Sequence, residues 1–407
     1  MDFCAQPNLI SVETALALMK QALNPVLDAE TVSLLDGLDR VLATAIQSPI
    51  NVPSADNSAM DGYGFRFSDD QQILNLIGYS LAGHPFVGEI KSGECVRITT
   101  GAIVPAGVDT VVMQEQVSIG ENTIHINVRP PLGTNIRRAG EDIAQGNVVL
   151  PAGHRLTPID IGLLASIGCN QVHVYRKLRV ALLSTGDELT PLGQTLQAGN
   201  IYDSNRYTLR ALLQRLNLEV IDLGLQPDEP EIIKASFEKA KQIADVVIST
   251  GGVSVGDADY TKTVLDELGN IYFWKVAMKP GKPFAFGKLG DGWFFGLPGN
   301  PVSAAVTYHQ LVLPSLRYLA GEICDANIAI NAIAQKGFSK QIGRTDYQRG
   351  ILTSDGDTNY VVITGPQGSG VLTSMAAANC YIVVEQERGA VTQGEIVKVI
   401  PFDKFIR

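Results

Sequence analysis

The sequence predicts a multidomain protein of α/β plus β class. It has a central doubly wound parallel-sheet α/β domain, a small inserted β domain and a C-terminal β domain. Three observations predict this. From Arg179 to Pro301, short apolar runs end in glycine-rich, charged or hydroxyl-bearing turns and alternate with helical patterns, as βαβ units do. Between residues 54 and 140 glycine and proline are frequent and the apolar runs are short. Beyond about residue 326, apolar and polar residues alternate again. At 407 residues the chain is also too long for one core.

Ser11 is a good N-cap for a first helix, with Val12, Ala15, Leu16, Met19 and Leu23 on one face and Asn24-Pro25 ending it. Residues 1–53 and 141–177 read as one split N-terminal domain. Val148 to Leu150 and a helix starting at Thr157-Pro158 mark the return to it. The insertion, 54–140, holds strands at Val96 to Ile98, Thr110 to Met113 and Thr123 to Asn127. The α/β domain, 178–325, has strands over Arg179 to Ser184, Asp245 to Ser249, Ile271 to Val276 and Trp293 to Phe295. Its helices start at Ser204 or Asn205, at an Asp228-Glu-Pro-Glu231 capping box, after Asp257 or Asp259, and at Asn300-Pro301. The last domain, 326–407, has strands near Asn327 to Ile333, Tyr347 to Thr353, Tyr360 to Thr364, Cys380 to Gln386 and Ile396 to Pro401.

The formal charge of −10 argues against nucleic acid and anionic membranes as partners. The five cysteines are scattered without metal-ligand spacing, which points to reduced, buried thiols and a cytoplasmic protein. Neither a signal peptide nor a bilayer-spanning run stands out. The five histidines are too dispersed for a metal site or a catalytic triad.

Right-handed parallel crossovers put every strand's C-terminal end on one edge, where ligands bind. Four chemically loaded turns should therefore converge. Thr250-Gly251-Gly252, with Ser254, offers backbone N–H groups and hydroxyls to a phosphate, although neither a P-loop nor a GxGxxG motif occurs. Asp187, Glu188, Asp228, Asp257 and Asp259 follow strand ends. Beside phosphates such acids imply a Mg²⁺ ion, and helix capping is the competing use, above all for Asp228. Met278-Lys279-Pro280-Gly281-Lys282-Pro283 presents two lysines on a stiff loop, fit for an oxyanion. Leu297-Pro298-Gly-Asn-Pro301 adds a rigid helix start with Ser303 in its first turn. Smaller clusters stand at Asn57 to Tyr63 around Asp61, at Thr99-Thr100, at Arg137-Arg138 with Asp142, and at Arg349 with Ser369.

These motifs together resemble the molybdopterin molybdenumtransferase family, the molybdenum insertases. The residues that carry the likeness are Asn57 to Tyr63, Thr100 to Gly107, Arg138 to Asp142, Ser184 to Leu189, Thr250 to Gly256, Met278 to Pro283 and Gly296 to Pro301. They occur in the family's order and span essentially the whole chain. One departure is Asp257, where many members carry Glu.

The resemblance implies a transferase of molybdenum cofactor biosynthesis with a molybdopterin-binding α/β domain. It would insert molybdenum from molybdate into adenylylated molybdopterin, with Mg²⁺-dependent cleavage of the adenylyl phosphoanhydride and release of AMP. It implies catalytic roles for Asp61, Thr100, Glu188, Asp228, Asp259 and Lys279. Metal binding falls to Asp187, Glu188, Asp228, Asp257 and Asp259. Substrate would be held by Arg137, Asp142, Gly251, Gly252, Ser254, Lys275, Lys282, Pro298, Pro301, Ser303, Arg349 and Ser369. A homodimer is implied, with Asp61 and Thr100 of one subunit facing the other's α/β domain, and the adenylyltransferase that supplies substrate as a further partner. An adenylyltransferase-like nucleotide transfer and a non-catalytic scaffold are the rival readings.

Overall fold

The helix expected after Ser11 forms over Val12–Ala22 (α1), with the Thr14 N–H donating to Ser11 Oγ at 3.1 Å. Its buried stripe is Val12, Ala15 and Met19, as the 3.6-residue period requires. The computed structural model describes residues 9–68, 70–252, 260–323 and 328–406. The chain divides into two compact units: one takes residues up to Glu30, Asp39–Ala43 and Val174 onward, the other Thr31–Leu38 and Thr44–His173.

The second unit is built on a six-stranded sheet. Its strands are β1 (Gly62–Phe65), β2 (Ile73–Ser80), β3 (Glu94–Ile98), β4 (Thr110–Met113), β5 (Val117–Ile119) and β6 (Thr123–Ile126), in the order β4-β1-β3-β2-β6-β5. Tyr63, Phe65, Leu74, Cys95, Val112 and Ile124 form its core. A Cβ on Gly62 would stand 1.9 Å from the Val112 carbonyl oxygen, so β1 lies flush on β4 only because that residue is glycine. Val148–Leu150 pairs antiparallel with Ile46–Gln47 in the same unit. Thr157 and Asp160 form the capping box of α2 (Pro158–Ser166).

The first unit holds the second six-stranded sheet. Its elements run β7 (Arg179–Thr185), α3 (Asn205–Arg215), β8 (Glu219–Gln226), α4 (Pro230–Ile243), β9 (Val246–Thr250), α5 (Tyr260–Leu268) and β10 (Gly269–Lys275). The two-residue β11 (Met278–Lys279) follows, then β12 (Pro283–Leu289), β13 (Gly292–Leu297) and α6 (Pro301–Thr307). A π turn over Tyr308–Val312 joins α6 to α7 (Leu313–Leu319). The sheet order is β8-β7-β9-β13-β12-β10. Strands β8, β7, β9 and β13 are mutually parallel. Every residue of β9 is buried, which is why it reads as an unbroken apolar and hydroxyl run.

Both faces are covered, as in a doubly wound sheet. Leu209, Leu212 and Leu213 of α3, with α1, α6 and α7, pack on one face through Val180, Leu182, Val246 and Ile248. Ile233 and Phe237 of α4 and Leu265 of α5 pack on the other through Ala181, Leu183 and Val247. One expectation is corrected: the sheet is mixed, because β12 runs antiparallel to both β13 and β10. The stacked Phe286 and Trp293 rings, 5.5 Å apart and 6° from parallel, bind β12 to β13.

The C-terminal strands are β14 (Ile330–Ala334), β15 (Thr345–Asp355), β16 (Thr358–Ile363), β17 (Cys380–Val384) and β18 (Ile396–Pro401), with α8 (Leu372–Ala377) before β17. They follow the order β15-β16-β14-β18-β17, and β17 pairs back with β15, so the sheet closes on itself in a barrel-like form, with the short β11 added beside β15. Cys95 and Cys380 are buried and unpaired, and burial pushes both thiols up to about 12. Cys4 and Cys324 lie outside the described residues. Among the described residues no helix is long and apolar enough to cross a membrane.

At the N-terminal edge of the sheet, Asp245 accepts from Arg176 through both oxygens, at 2.7 and 2.8 Å, and from the Arg179 N–H at 2.8 Å. Burial raises this carboxyl, yet the two arginines hold it at about 2. The lowered value means the contribution is present above the ordinary carboxylate range and is lost as pH falls toward 2. Replacing Asp245 by Asn should cost about 3 kcal/mol at pH 7, since Arg176 and Arg179 lose the buried carboxylate they share and Arg176 keeps only the exposed Asp28. Urea unfolding should show that loss shrinking toward zero below about pH 3, and a pH-independent loss would contradict this account.

Candidate active site

The ladder places the loaded turns. Ser184 stands opposite Thr250, and Thr250 opposite Leu297, so β7, β9 and β13 end level. Gly296 faces Ala285, and Pro283 at the start of β12 faces Lys275 at the end of β10. Because β12 is reversed, β10 runs in the direction of the parallel strands. The lysine loop therefore leaves the same edge as the turns at Thr185, Gly251 and Pro298, as the sequence predicts.

On the α3 face the rim is closed by its own hydrogen bonds. Ser184 Oγ donates to Asp203 at 2.6 Å, and Asp203, which is 1% exposed, also accepts from Arg206 Nε at 3.0 Å. Asn205 Nδ2 donates to Thr250 Oγ1 at 2.8 Å and to the Gly299 carbonyl at 2.7 Å. Thr250 Oγ1 donates to the Pro298 carbonyl at 3.2 Å. A cavity of about 290 Å³ opens here, lined among others by Thr185, Glu188, Tyr202, Asp203, Gly251 and Pro301.

Acidic groups gather beside it. Gly186 adopts φ +146°, and a Cβ there would stand 2.7 Å from Glu188 Oε2, so the turn returns the Glu188 carboxylate over its own backbone. The Asp228 N–H donates to Asp187 Oδ1 at 3.0 Å. Burial first, then the charges of Asp187 and Glu188, raises the Asp228 carboxyl above its usual range. Asp228 caps no helix: the N-cap of α4 is Glu229, without a side-chain bond, so the expected capping box is absent. Among the described residues no arginine or lysine pairs with these three acids, and no three acids converge as a ready-made ligand set. Ser254, Asp257 and Asp259 lie outside the described residues.

The cationic groups sit along the same rim, tied to the barrel. Met278 and Lys279 pair in parallel with Thr345 and Asp346 of β15. Lys279 Nζ lies 3.6 Å from Asp346 Oδ2; the lysine is 44% exposed and the carboxylate 2%. Lys275 and Lys282 are exposed. Further along β15, Arg349 is buried, donating from Nε to Ser374 Oγ at 3.1 Å and from Nη2 to the Gly368 carbonyl at 3.0 Å. Burial lowers its affinity for its proton, and no carboxylate accepts from it among the described residues. Val302 N–H donates to the Ser369 carbonyl at 3.0 Å, which brings the Ser369 loop to the start of α6, where Ser303 is buried.

The other unit joins Asp61 and Thr100. Gly62 and Ile98 face each other across β1 and β3, so the residues just beyond them meet. Asp61 Oδ1 accepts from the Thr100 N–H at 2.7 Å and from its hydroxyl at 3.1 Å, and these bonds lower its carboxyl. Arg137 and Asp142 are exposed, while Arg138 is engaged with Asp56 at 2.6 Å.

The sequence reading gave no site role to Asp203 or Asp346, and it took Asn205 only as a candidate helix start. Asp203 and Asn205 were legible as a polar Tyr202-Asp-Ser-Asn205 run before a helix. Asp346 lies in the polar Thr-Asp-Tyr-Gln-Arg opening of β15, one residue before the expected strand.

Acids, paired glycines and lysines on the carboxyl edge of a mostly parallel sheet define an α/β domain of the kind that takes ligands at that edge. Comparison with known proteins names the class. Residues 10–168 match the MoeA N-terminal region (domain I and II), 181–318 a probable molybdopterin binding domain, and 331–402 the MoeA C-terminal region (domain IV). The chain is 48% identical to a molybdopterin molybdenumtransferase of Haemophilus influenzae, covering 98% of this chain and 100% of that one. It is 36% identical to one from Nostoc, covering 92% and 88%. A solved structure, the molybdopterin biosynthesis moeA protein of Pyrococcus horikoshii OT3, superposes with a TM-score of 0.85 at 30% identity, over 97% of this chain and 100% of that one. The chain belongs to the molybdopterin molybdenumtransferase family, transferases of molybdenum cofactor biosynthesis.

The raised Asp228 carboxyl makes a testable statement. Folding binds its proton more tightly, so its contribution is full below the ordinary carboxylate range and declines as pH rises through the raised value. Asp228→Asn should melt up to about 2 °C higher than the parent at pH 7 in metal-free buffer, and at the same temperature at pH 3. A variant that melts lower at pH 7 would refute the repulsion.

Proposed function

We propose that this chain inserts molybdenum from molybdate into adenylylated molybdopterin, cleaving the adenylyl phosphoanhydride and releasing AMP. The observation that carries this reading is the common edge of the acidic turn, the glycine turn and the lysine loop. The anhydride lies along Gly251 and Gly252, whose positive φ and missing side chains leave the backbone of this turn bare. Lys279, Lys282 and Arg349 hold the molybdate dianion by charge-assisted hydrogen bonds, with Ser303 and Ser369 completing its shell and Lys275 at the mouth. Pro298 and Pro301 fix the loop between the two halves. Attack of a water oxygen on the molybdopterin phosphorus forms a new P–O bond and breaks the P–O–P link; AMP leaves carrying the bridging oxygen with the electron pair of the broken bond, and the water's proton passes to solvent.

Asp187, Glu188 and Asp228 would hold Mg²⁺, joined by Asp257 and Asp259. Their hard oxygens and unneutralised mutual repulsion fit a divalent cation. When bound, the ion supplies charge neutralisation at the phosphates. Asp61 and Thr100, locked together, complete the site from a second subunit of a homodimer, and Arg137 and Asp142 orient the pterin.

The test is turnover. The purified protein with Mg²⁺, molybdate and adenylylated molybdopterin should release AMP and activate a molybdenum-free acceptor enzyme. Lys279→Gln should lower acceptor activation at least about 10-fold at low molybdate, the loss of one charge-assisted contact, with an unchanged melting temperature. Wild-type rates in that variant would remove the lysine from the reading. Incubation with molybdopterin and ATP should yield no adenylylated product, and its formation would favour the adenylyltransferase reading instead.

A further inference from the structure

The ladder aligns β9 with β13 only as far as Thr250 and Leu297. Beyond that pair the two turns are joined directly by long bonds. The Gly251 N–H donates to the Leu297 carbonyl at 3.3 Å, and the Thr250 hydroxyl to the Pro298 carbonyl at 3.2 Å, both past the usual range. A Cβ added to Gly299 would lie 3.8 Å from the Gly251 Cα, so the turns face each other through glycines, with no side chain of those residues between them.

The gap is set from the side, by α3. Asp203 fixes the helix start to β7: its carboxylate accepts from Ser184 Oγ at 2.6 Å and from the Arg206 N–H at 3.2 Å. Two residues on, Asn205 is the first residue of α3 and is buried. Its amide nitrogen donates to Thr250 Oγ1 at 2.8 Å and to the Gly299 carbonyl at 2.7 Å. Both bonds are short, and both N–H groups are used. Of the side chains this short, only asparagine carries two donors on one nitrogen. The Asp203-Ser-Asn205 run therefore reaches the ends of β7, β9 and β13 at once.

The two turns serve different ligands in the proposed reaction. The phosphoanhydride lies along Gly251 and Gly252. The loop through Pro298 and Pro301 leads to Ser303 and, through the Val302 N–H bonded to the Ser369 carbonyl, to the molybdate side. We propose that Asn205 is a positioning residue for this reaction. Its amide holds the glycine turn and the proline loop at one separation, and so the phosphoanhydride at a fixed distance from molybdate. It needs no contact with either ligand. This role deepens the function proposed above and rests on it.

The test is Asn205→Asp in the full-length protein, with Mg²⁺, molybdate and adenylylated molybdopterin. The substitution keeps the shape of the side chain and removes both donors. At about pH 8, kcat for AMP release should fall at least about 10-fold, the scale of loss a small misplacement causes, with KM for molybdate within about two-fold of the parent's. Burial against the Gly299 carbonyl raises the introduced carboxyl, so toward about pH 5 it takes up a proton and regains one donor. The ratio of variant to parent kcat should therefore climb as pH falls. A purely structural role would lower the melting temperature and leave kcat per folded molecule as in the parent at every pH, and that result overturns the positioning role. A raised KM with kcat kept, or a reduced ratio that stays flat with pH, overturns it too. Should the variant not fold at about pH 8, Asn205→Ala decides: the same loss of kcat supports the role, and a parental kcat overturns it. A parent protein that releases no AMP overturns the proposed function together with it.

Discussion

The structure of this site depends on the burial of Val246–Thr250 on both faces and its hydrogen bonding to parallel neighbours on both sides. A strand so placed has no freedom of register, because a slip of one residue would exchange its two faces. That fixed register makes Thr250 level with Ser184 and Leu297. It also sends Thr250 to the α3 face and Ser249 to the other. The chemistry of the rim follows from which hydroxyl falls on which side.

The reversed strand β12 has a larger consequence than its antiparallel bonds. The four parallel strands alone present the turns after β7, β8, β9 and β13. Adding β10 and β12 as an antiparallel pair returns the chain to the same edge, so the lysines enter through a hairpin loop. The loop is then held at its first residues by β15, through Met278 opposite Thr345 and Lys279 opposite Asp346. The same barrel strand carries Arg349 three residues on. Strand pairing thus ties Lys279 to the strand that carries Arg349, although the sequence separates them by β12, β13, α6, α7 and β14.

Much of this was legible in the sequence, for identifiable reasons. Strands buried on both faces and Pro-Gly turns are local signals, so the turns at Thr185, Gly251, Met278 and Pro298 stood out. The Ser11 cap and the Thr157 box were readable because capping chemistry spans only three residues. The direction of β12 was also written locally. Leu289 faces Gly292 across a two-residue Gly290-Asp291 turn, and Gly290 takes φ +61°, a hairpin signal that the parallel-sheet reading passed over. Partnerships between distant residues were not legible. Asp228 looked like a cap because Glu231 follows it, whereas its neighbours are Asp187 and Glu188, some forty residues earlier. Asp203 and Asp346 are meaningful only once burial leaves each facing one cation.

Acids and lysines on one rim ought to neutralise each other, and a site that did so would bind nothing. This protein prevents it by burial depth. Lys279 meets its acid from below: Asp346 is 2% exposed and 3.6 Å away, close enough to orient the ammonium group and too far for a full hydrogen bond. The lysine therefore keeps donors free toward solvent. Asp187 and Glu188 are exposed at the other end, with no cation paired to them among the described residues, and burial together with their charges raises the Asp228 carboxyl. Arg349 is buried against neutral partners, so its charge is directed rather than cancelled. Each ionic group is fixed in place while its outward valence is left open, so acids and cations share one rim without cancelling one another.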